Sequence, residues 1–248
     1  MLRSAIQTFG YRLQATDGDF GTVRDLLFDD RLWTVRYLVA DTGTWLRGRQ
    51  VLISPAALGQ PDWKASRFPV SLTMEQIERS PAVGDDQPVS REFEMALHQH
   101  YGWSLYWGES PSATADPAPD RHLRSLRELT GYRIEARDGK IGHIDDAVLD
   151  DHVFSLPYVV VDTRQWLAGR KVLVSPTWVR EIRWPDHRVA VELTREEIEG
   201  SPGYDPSTPL DRAYEQQLHD HYGRHPYWSE PEEAPPTPDA AETLLRPR

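Results

Sequence analysis

Histidine pairs are the residues whose type and spacing come closest to a metal-binding or catalytic pattern. His98 and His100 stand two positions apart, and His219 and His221 repeat the pair further along the chain. Zinc sites on helices usually space two histidines by three or four positions, so that both rings share one face. A spacing of two turns the side chains about 200° apart at 3.6 residues per turn. The pairs therefore do not predict a metal site, and a metal-dependent hydrolase built on them is only an alternative hypothesis.

A glutamate lies four residues before the first histidine of each pair, as Glu94 before His98 and Glu215 before His219. Residues at this spacing are neighbours on a helix surface, so the sequence predicts two pairs on the surface of a helix. The second histidine of each pair is expected to pack at the edge of the apolar stripe of the same helix.

Carboxylates and serines give no clearer sign of chemistry. The doublets Asp29-Asp30, Asp145-Asp146 and Asp150-Asp151 lack the alternating oxygen ligands and closing glutamate of a calcium loop, and we interpret them as turn residues that bond to nearby backbone. Serines occur in no nucleophile elbow, and no glycine-rich loop is suited to phosphate. The chain has no cysteine, which excludes disulfides and thiolate metal sites. We predict no catalytic residue, no metal and no cofactor.

The elements that position these residues occur twice. Shifting the sequence by 121 positions aligns residues 2–107, the first copy, with residues 123–228, the second copy, without an insertion; about 45 of the 106 pairs are identical. Two domains of one fold are therefore predicted. A Pro/Ala-rich linker at 108–122 is expected to join them, and a disordered acidic tail at 229–248 to follow.

Each copy is predicted to be mainly β with short helices. Period-two patterns and β-branched or aromatic residues, bounded by turn residues such as Asp17-Gly18, indicate five strands in the first copy. They are expected at Leu13–Thr16, Phe20–Phe28, Trp33–Asp41, Val51–Ser54 and Phe68–Leu72. Closure of such short strands into a small barrel would hide their edges.

Two helices are predicted after each set of strands. Capping boxes that start at Thr73 and Thr194 predict short helices, which end at Ser80-Pro81 and Ser201-Pro202 because proline cannot continue a helix. An apolar stripe at i, i+4 and i+8 predicts a last helix that packs against the strands. The predicted fold is thus two tandem small β-barrels, each followed by two C-terminal helices.

One loop in each copy contains a large apolar pair, in the pattern Asp-Thr-x-x-Trp-Leu-x-Gly-Arg. Tryptophan and arginine are common anchors of protein interfaces, so the loop is the best candidate for a contact surface. The favoured alternative is structural: the tryptophans plug the barrel ends, and the arginines pair with Asp41 and Asp162 across the hairpin. The candidate contact residues are Trp45, Leu46, Arg49, Trp166, Leu167 and Arg170.

Charge and hydropathy narrow the class of protein. The net charge of −11 is spread over both copies, the linker and the tail, and the sequence has no run of lysine or arginine. Direct nucleic-acid binding is therefore not expected, because it needs a basic surface that displaces counterions from phosphate. No apolar stretch is long enough to span a membrane, and the first residues show no secretory signal. A cytoplasmic protein is expected.

The repeated motifs resemble the PRC-barrel family. In each copy Gly-Tyr-Arg-x-x-Ala-x-Asp-Gly-x-x-Gly is followed by Asp-Asp, Tyr-x-Val-x-Asp-Thr, Trp-Leu-x-Gly-Arg and Val-Leu-x-Ser-Pro. The resemblance covers residues 2–75 and 123–196. That family includes the cytoplasmic domain of the photosynthetic reaction centre H subunit and the C-terminal domain of the ribosome maturation factor RimM. Its most recognisable positions are Gly21, Asp25, Gly142 and Asp146.

The resemblance implies a barrel that docks proteins and has no assigned catalytic residues. We therefore expect a non-catalytic bacterial docking or scaffold protein with an unknown protein partner, whose two copies pack as a pseudo-symmetric pair like a fused homodimer. A peripheral role near a photosynthetic reaction centre is the alternative. It is less favoured because the transmembrane helix of the H subunit has no counterpart in this sequence.

Overall fold

The computed structural model describes residues 1–82, 89–107, 123–163 and 170–228. The fold is mainly β, with a curled half-barrel sheet and, within these residues, five α-helices. The strands of the first copy are β1 (Leu2–Ser4), β2 (Arg12–Gln14), β3 (Asp19–Asp29), β4 (Thr34–Asp41), β5 (Gln50–Ile53) and β6 (Arg67–Pro69).

The second copy contributes seven strands in its described part. These are β7 (Leu123–Ser125), β8 (Arg133–Ala136), β9 (Gly139–Asp150), β10 (Ser155–Asp162), β11 (Lys171–Val174), β12 (Val179–Arg183) and β13 (Arg188–Val191). The helices are α1 (Met74–Glu78) and α2 (Arg91–Tyr101) in the first copy, and α3 (Leu126–Leu129), α4 (Arg195–Gly200) and α5 (Arg212–Tyr222) in the second. None of the helices in the described ranges has the length and hydropathy that a membrane span requires.

The same strand pairings recur at an offset of 121 residues. β2 runs parallel to β6, with Arg12 opposite Arg67, and β8 runs parallel to β13, with Arg133 opposite Arg188. Antiparallel pairing joins β3, β4 and β5 in the first copy and β9, β10 and β11 in the second. The copies differ at β12, which pairs with β13 over several residues, whereas the matching stretch of the first copy forms only isolated bridges.

Each copy places its first strand in the sheet of the other copy. β1 pairs with β9, with Leu2 opposite Asp150, and β7 pairs with β3, with Leu123 opposite Asp29. β4 and β10 also meet directly, where Thr34 lies opposite Ser155. All thirteen strands of the described ranges therefore belong to one hydrogen-bonded sheet. The sequence indicated neither the two exchanged strands nor this continuity between copies.

Close packing of neighbouring strands explains why glycine occurs at positions 21 and 142. A Cβ atom at Gly21 would collide with the carbonyl oxygen of Asp41, and one at Gly142 with that of Asp162. Backbone atoms cannot move aside as the end of a side chain can, so only glycine fits there. Gly21 thereby lets β3 pack against the end of β4, and Gly142 lets β9 pack against the end of β10.

The helix boundaries agree with the sequence signals. The Thr73 Oγ1 atom accepts a hydrogen bond from the Gln76 amide at 3.2 Å, and the Gln76 side chain accepts one from the Thr73 amide at 2.9 Å. The same reciprocal capping box forms at Thr194. α1 and α4 end before the predicted Ser-Pro pairs. Leu97 on α2 is fully buried, as predicted for the apolar stripe of the last helix.

Two of the three acidic doublets lie where a strand ends and a turn begins, close to the predicted turn positions. Asp29 Oδ1 accepts from the Arg31 amide at 3.0 Å, and Asp150 Oδ1 accepts from the His152 amide at 2.9 Å. The interpretation of Asp145-Asp146 as turn residues was wrong, because both residues lie within β9. Their side chains make contacts across the sheet and between the copies.

Candidate functional site

The first histidine of each pair belongs to a buried polar cluster and not to the helix surface. Glu94 and His98 are 0% and 3% exposed. The Tyr37 hydroxyl lies 2.9 Å from Glu94 Oε2 and 2.8 Å from His98 Nε2, and the Tyr106 hydroxyl donates to Glu94 Oε2 at 2.7 Å. The predicted surface pair was wrong because the sheet contributes a tyrosine directly beneath the helix.

The second copy builds the same cluster. The Tyr158 hydroxyl lies 3.2 Å from Glu215 Oε1 and 2.9 Å from His219 Nε2, and the Tyr227 hydroxyl donates to Glu215 Oε1 at 3.0 Å. Burial raises the pKa of Glu215 and lowers the pKa of His219. Both shifts favour the neutral forms, so this carboxyl and imidazole are suited to holding α5 against the sheet.

Hydrogen bonds occupy three of the four ring nitrogens of the first histidine pair. His98 Nδ1 donates to the Ser104 carbonyl at 3.0 Å, while its Nε2 faces Tyr37. His100 Nε2 donates to the Gln76 carbonyl at 2.8 Å, and its ring packs on Tyr101 with centroids 4.6 Å apart. The contact with Tyr101 agrees with the expected position at the edge of the apolar stripe. These contacts make both histidines structural.

In the first copy, the Trp-Leu loop is tied to the core. Trp45 and Leu46 are half-buried against the core, and the Trp45 ring meets Phe20 edge to face with centroids 6.4 Å apart. Trp166 and Leu167, the corresponding residues of the second copy, lie outside the described residues. This loop remains a predicted contact surface, but its tryptophan in the first copy is partly used for packing.

The arginines of this loop bind the ends of short helices. Arg49 donates to the carbonyls of Ile77 at 3.0 Å and Glu78 at 2.8 Å, and Arg170 donates to the Glu199 carbonyl at 2.9 Å. The predicted pairing of Arg49 with Asp41 was wrong. The last carbonyls of a helix lack intrahelical partners, so the guanidinium satisfies them.

The two aspartates at the recognisable positions fasten the exchanged strands. Asp146 accepts hydrogen bonds from the Ser4 hydroxyl and, at 3.0 Å, from the Ile6 amide. Asp25 accepts from the Ser125 hydroxyl at 2.5 Å and from the Arg127 amide at 3.0 Å. Each carboxylate thus holds the first turn after the other copy's exchanged strand.

Burial has a marked effect on these carboxyl groups. It raises the pKa of Asp146 to about 6, and it raises the pKa of Asp25 as well. Hydrogen bonds from Ser4 and Ile6 oppose the shift at Asp146 but do not cancel it.

One group of side chains on the second copy could hold a divalent cation. Ligand atoms of His143, Asp145 and Asp162 lie within 4.8 Å of one another. His143 and Asp145 alternate on β9, and Asp162 lies opposite His143 on β10. The Lys171 ammonium, 2.5 Å from Asp145 Oδ2, supplies a positive charge at the same place. The alternation of His143 and Asp145 on one strand was the sequence signal that we overlooked.

A groove of about 610 Å³ opens between the two copies. Its walls are the turn between β3 and β4 of the first copy, and the start of β10 and the segment from the end of β11 through β12 of the second. Apolar and aromatic side chains form most of its lining, and this volume is typical of a ligand site. They are Leu32, Trp33, Leu156, Pro157, Pro176, Val179, Ile182, Trp184 and Tyr227.

The corresponding place in the other half of the molecule is bridged by hydrogen bonds. There Gln60 donates to the Asp151 carbonyl at 3.1 Å, and the Trp63 indole donates to Asp151 Oδ2 at 2.9 Å. On the groove side, Asp30 occupies the position of Asp151 and accepts from Arg124 Nε at 3.0 Å. Trp63 therefore binds the opposite copy directly, whereas its counterpart Trp184 lines the groove.

Tyr227 is available to the groove because of a second difference between the copies. Its counterpart Tyr106 is covered by the Arg36 guanidinium, which lies 4.0 Å from the centre of the ring. Pro157 occupies the position of Arg36 in the second copy, and Tyr227 is 50% exposed.

The rim of the groove carries two exposed cations. Neither Arg31 nor Arg180 makes a direct ion pair in the described part of the chain, although Arg180 is close enough to Glu181 and Glu192 to help lower the pKa of both carboxyls. The two lining carboxylates are paired: Asp30 with Arg124, and Glu181 with Arg183 at 2.9 Å. The groove therefore presents positive charge on a protein of negative net charge.

Comparison with known proteins found no protein-family model and no curated protein that matches this chain. What the protein does must therefore be argued from the fold, the groove and its charges.

Proposed function

We propose that the chain is a non-catalytic docking protein, in which two tandem barrels of the PRC-barrel kind act as one scaffold and bind a partner protein in the groove between the copies. The observation that carries the proposal is the groove itself, which is open, mainly apolar and rimmed by two exposed arginines. Aromatic and arginine side chains in a concave surface are the residues that most often dominate the affinity of protein interfaces.

The other polar groups are better explained by structure than by chemistry. The Tyr-Glu-His clusters bind their own members and join the last helices to the sheet. The recognisable aspartates connect the exchanged strands. A cytoplasmic bacterial setting belongs to the same proposal.

Position-specific photocrosslinking in the native host tests the proposal. Leu32 lies on the groove and is 66% exposed, and its counterpart Val153 in the other half is 64% exposed, which makes it a matched control. A photoreactive phenylalanine analogue at residue 32 should give a discrete protein adduct, and the same analogue at residue 153 should not. No adduct at residue 32, or equal adducts at both residues, would refute docking in the groove.

A further inference from the structure

We propose that the groove binds an acidic, proline-containing stretch of this chain's own sequence, residues 229–240. This inference rests on the proposed function of the groove as a docking site and names its occupant. If residues 229–240 occupy the groove, a partner protein must displace them, so the stretch would regulate docking.

The chemistry of the groove selects an acidic and proline-containing peptide. Arg31 and Arg180 on the rim can each pair with a carboxylate, while Trp184, Tyr227 and Pro157 offer flat apolar surface between them. Proline-rich segments dock on aromatic-lined grooves because they lose little conformational entropy on binding. Residues 229–240 read Ser-Glu-Pro-Glu-Glu-Ala-Pro-Pro-Thr-Pro-Asp-Ala, which supplies both the carboxylates and the prolines.

Chain connection favours this stretch over a peptide from another protein. Tyr227 is part of the groove lining, and residue 229 follows it by two positions. Twelve residues can extend about 40 Å, which is ample to reach from Tyr227 along a groove of this volume. A tethered segment also has an effective concentration in the millimolar range, so a weak contact suffices for occupancy.

The internal comparison between the copies points to the same two arginines. The positions of Arg31 and Arg180 are occupied by His152 and Gly59 in the other half, where Gln60 and Trp63 bridge to Asp151. The cationic rim and the open groove therefore occur together, on the side of the molecule from which residues 229–240 continue.

Fluorescence anisotropy of a labelled peptide with the sequence of residues 229–240 provides the test. The peptide should bind a variant that ends at Trp228, and it should bind the full chain about tenfold more weakly or worse, because the chain's own residues compete. Added salt should weaken the binding. A peptide with glutamine and asparagine in place of its acids should bind at least several-fold more weakly.

Two substitutions that copy the other half test the rim in the variant ending at Trp228. Arg31→His and Arg180→Gly should each weaken binding of the peptide several-fold, whereas Arg79→His, at an exposed arginine paired with Glu75, should not. If the shortened chain does not fold, the full chain with Glu230, Glu232 and Glu233 changed to glutamine replaces it, since its own segment would compete less.

Three results would overturn the inference. They are no binding of the peptide to the shortened chain, equal binding to the full and shortened chains, or binding that neither Arg31→His nor Arg180→Gly weakens. The crosslinking experiment reports separately on the partner. An adduct at residue 32 without peptide binding would overturn only the inference about residues 229–240. Peptide binding without an adduct at residue 32 would overturn only the proposal that a partner protein docks in the groove.

Discussion

At the scale of single residues, the most informative groups are the carboxyls that hold one copy to the other. Asp146 is 6% exposed and accepts from Ser4 and Ile6, yet burial raises its pKa to about 6 from an ordinary 3.8. Folding therefore strengthens proton binding by this group. Between about pH 4 and pH 6 the folded form keeps the proton that the unfolded form has released.

We expect the contribution of Asp146 to stability to be full below about pH 4 and to fall as the pH rises to about 6. In Asp146→Asn the amide can still accept from Ile6 and meet the Ser4 hydroxyl, but it does not titrate. The free energy of unfolding of the native chain, relative to this variant, should decrease by about 2 to 3 kcal/mol across that window. Urea unfolding at several pH values measures it.

Asp205 supplies the control because it is exposed and hydrogen bonds lower its pKa. Relative to Asp205→Asn, the native chain should show no loss of stability as the pH rises from 4 to 6. A constant difference between the native chain and Asp146→Asn over this range would contradict the raised pKa.

The tyrosine hydroxyl at the centre of each buried cluster provides a second prediction. Tyr37→Phe removes a hydroxyl that bridges Glu94 and His98, both of them buried. Glu94 keeps its hydrogen bond from Tyr106 and His98 keeps its bond to the Ser104 carbonyl, so the loss is that of two buried hydrogen bonds. That loss should cost about 1 to 3 kcal/mol and lower the melting temperature by several degrees. Calorimetry measures it.

Tyr11→Phe is the matched control for this prediction. Tyr11 is nearly as buried, but its hydroxyl makes only a 3.5 Å contact with the Trp63 carbonyl. Removing the Tyr11 hydroxyl should therefore lower the stability much less than removing the Tyr37 hydroxyl. Equal losses of stability would mean that the cluster does not stabilise the fold through its hydrogen bonds.

At the scale of elements, local signals predicted most of the strands and helices, and tertiary contacts explain the failures. The capping box at Thr73 and the strand at Thr34–Asp41 depend on residues that are close in sequence. The exchanged strand Leu2–Ser4 is too short to have a pattern of its own, and its pairing is set by β9 of the other copy. The i, i+4 spacing of Glu94 and His98 describes a helix but does not reveal what covers it.

Ser125, the N-cap of α3, allows a test of how much the segment after the exchanged strand β7 contributes to stability. Ser125 caps α3 by accepting from the Glu128 amide at 2.9 Å, and it donates to Asp25 of the first copy. Ser125→Ala should lower the free energy of unfolding by about 2 to 3 kcal/mol, since it removes a cap and a hydrogen bond to a carboxylate. Chemical denaturation at neutral pH measures the loss.

Ser90, which caps α2 within its own copy, gives the comparison. Ser90→Ala should cost about 1 kcal/mol, the usual value for a cap. Combining Ser125→Ala with Asp25→Asn should cost less than the sum of the two separate losses by at least about 0.5 kcal/mol. Strict additivity would show that this contact between the copies contributes nothing.

At the scale of the whole molecule, the groove depends on differences between the copies, which are harder to interpret from sequence than their identities. Arg180 replaces Gly59 and Pro157 replaces Arg36 in the alignment at 121 residues. These changes were visible in the sequence, but their meaning depends on the turn at Leu32 and β12 lining one groove, an arrangement of residues far apart in the chain. Loops and strand ends from two copies meet there only after folding.

The strand exchange also predicts how the two copies behave once the chain between them is cut. A protease site inserted within residues 108–122 of the full chain would yield two fragments. We expect them to stay together, because β1–β9, β7–β3 and β4–β10 all cross between the copies and Asp25 and Asp146 hold the exchanged segments. Size-exclusion chromatography of the cut protein at micromolar concentration should give one peak at the mass of the intact chain. Two separate folded fragments would show that each copy can complete its sheet alone, and that the exchanged strands are not required to join them. In the variant that ends at Trp228, cutting should leave peptide binding in the groove intact as well, since the groove is built from both copies and not from the chain that links them.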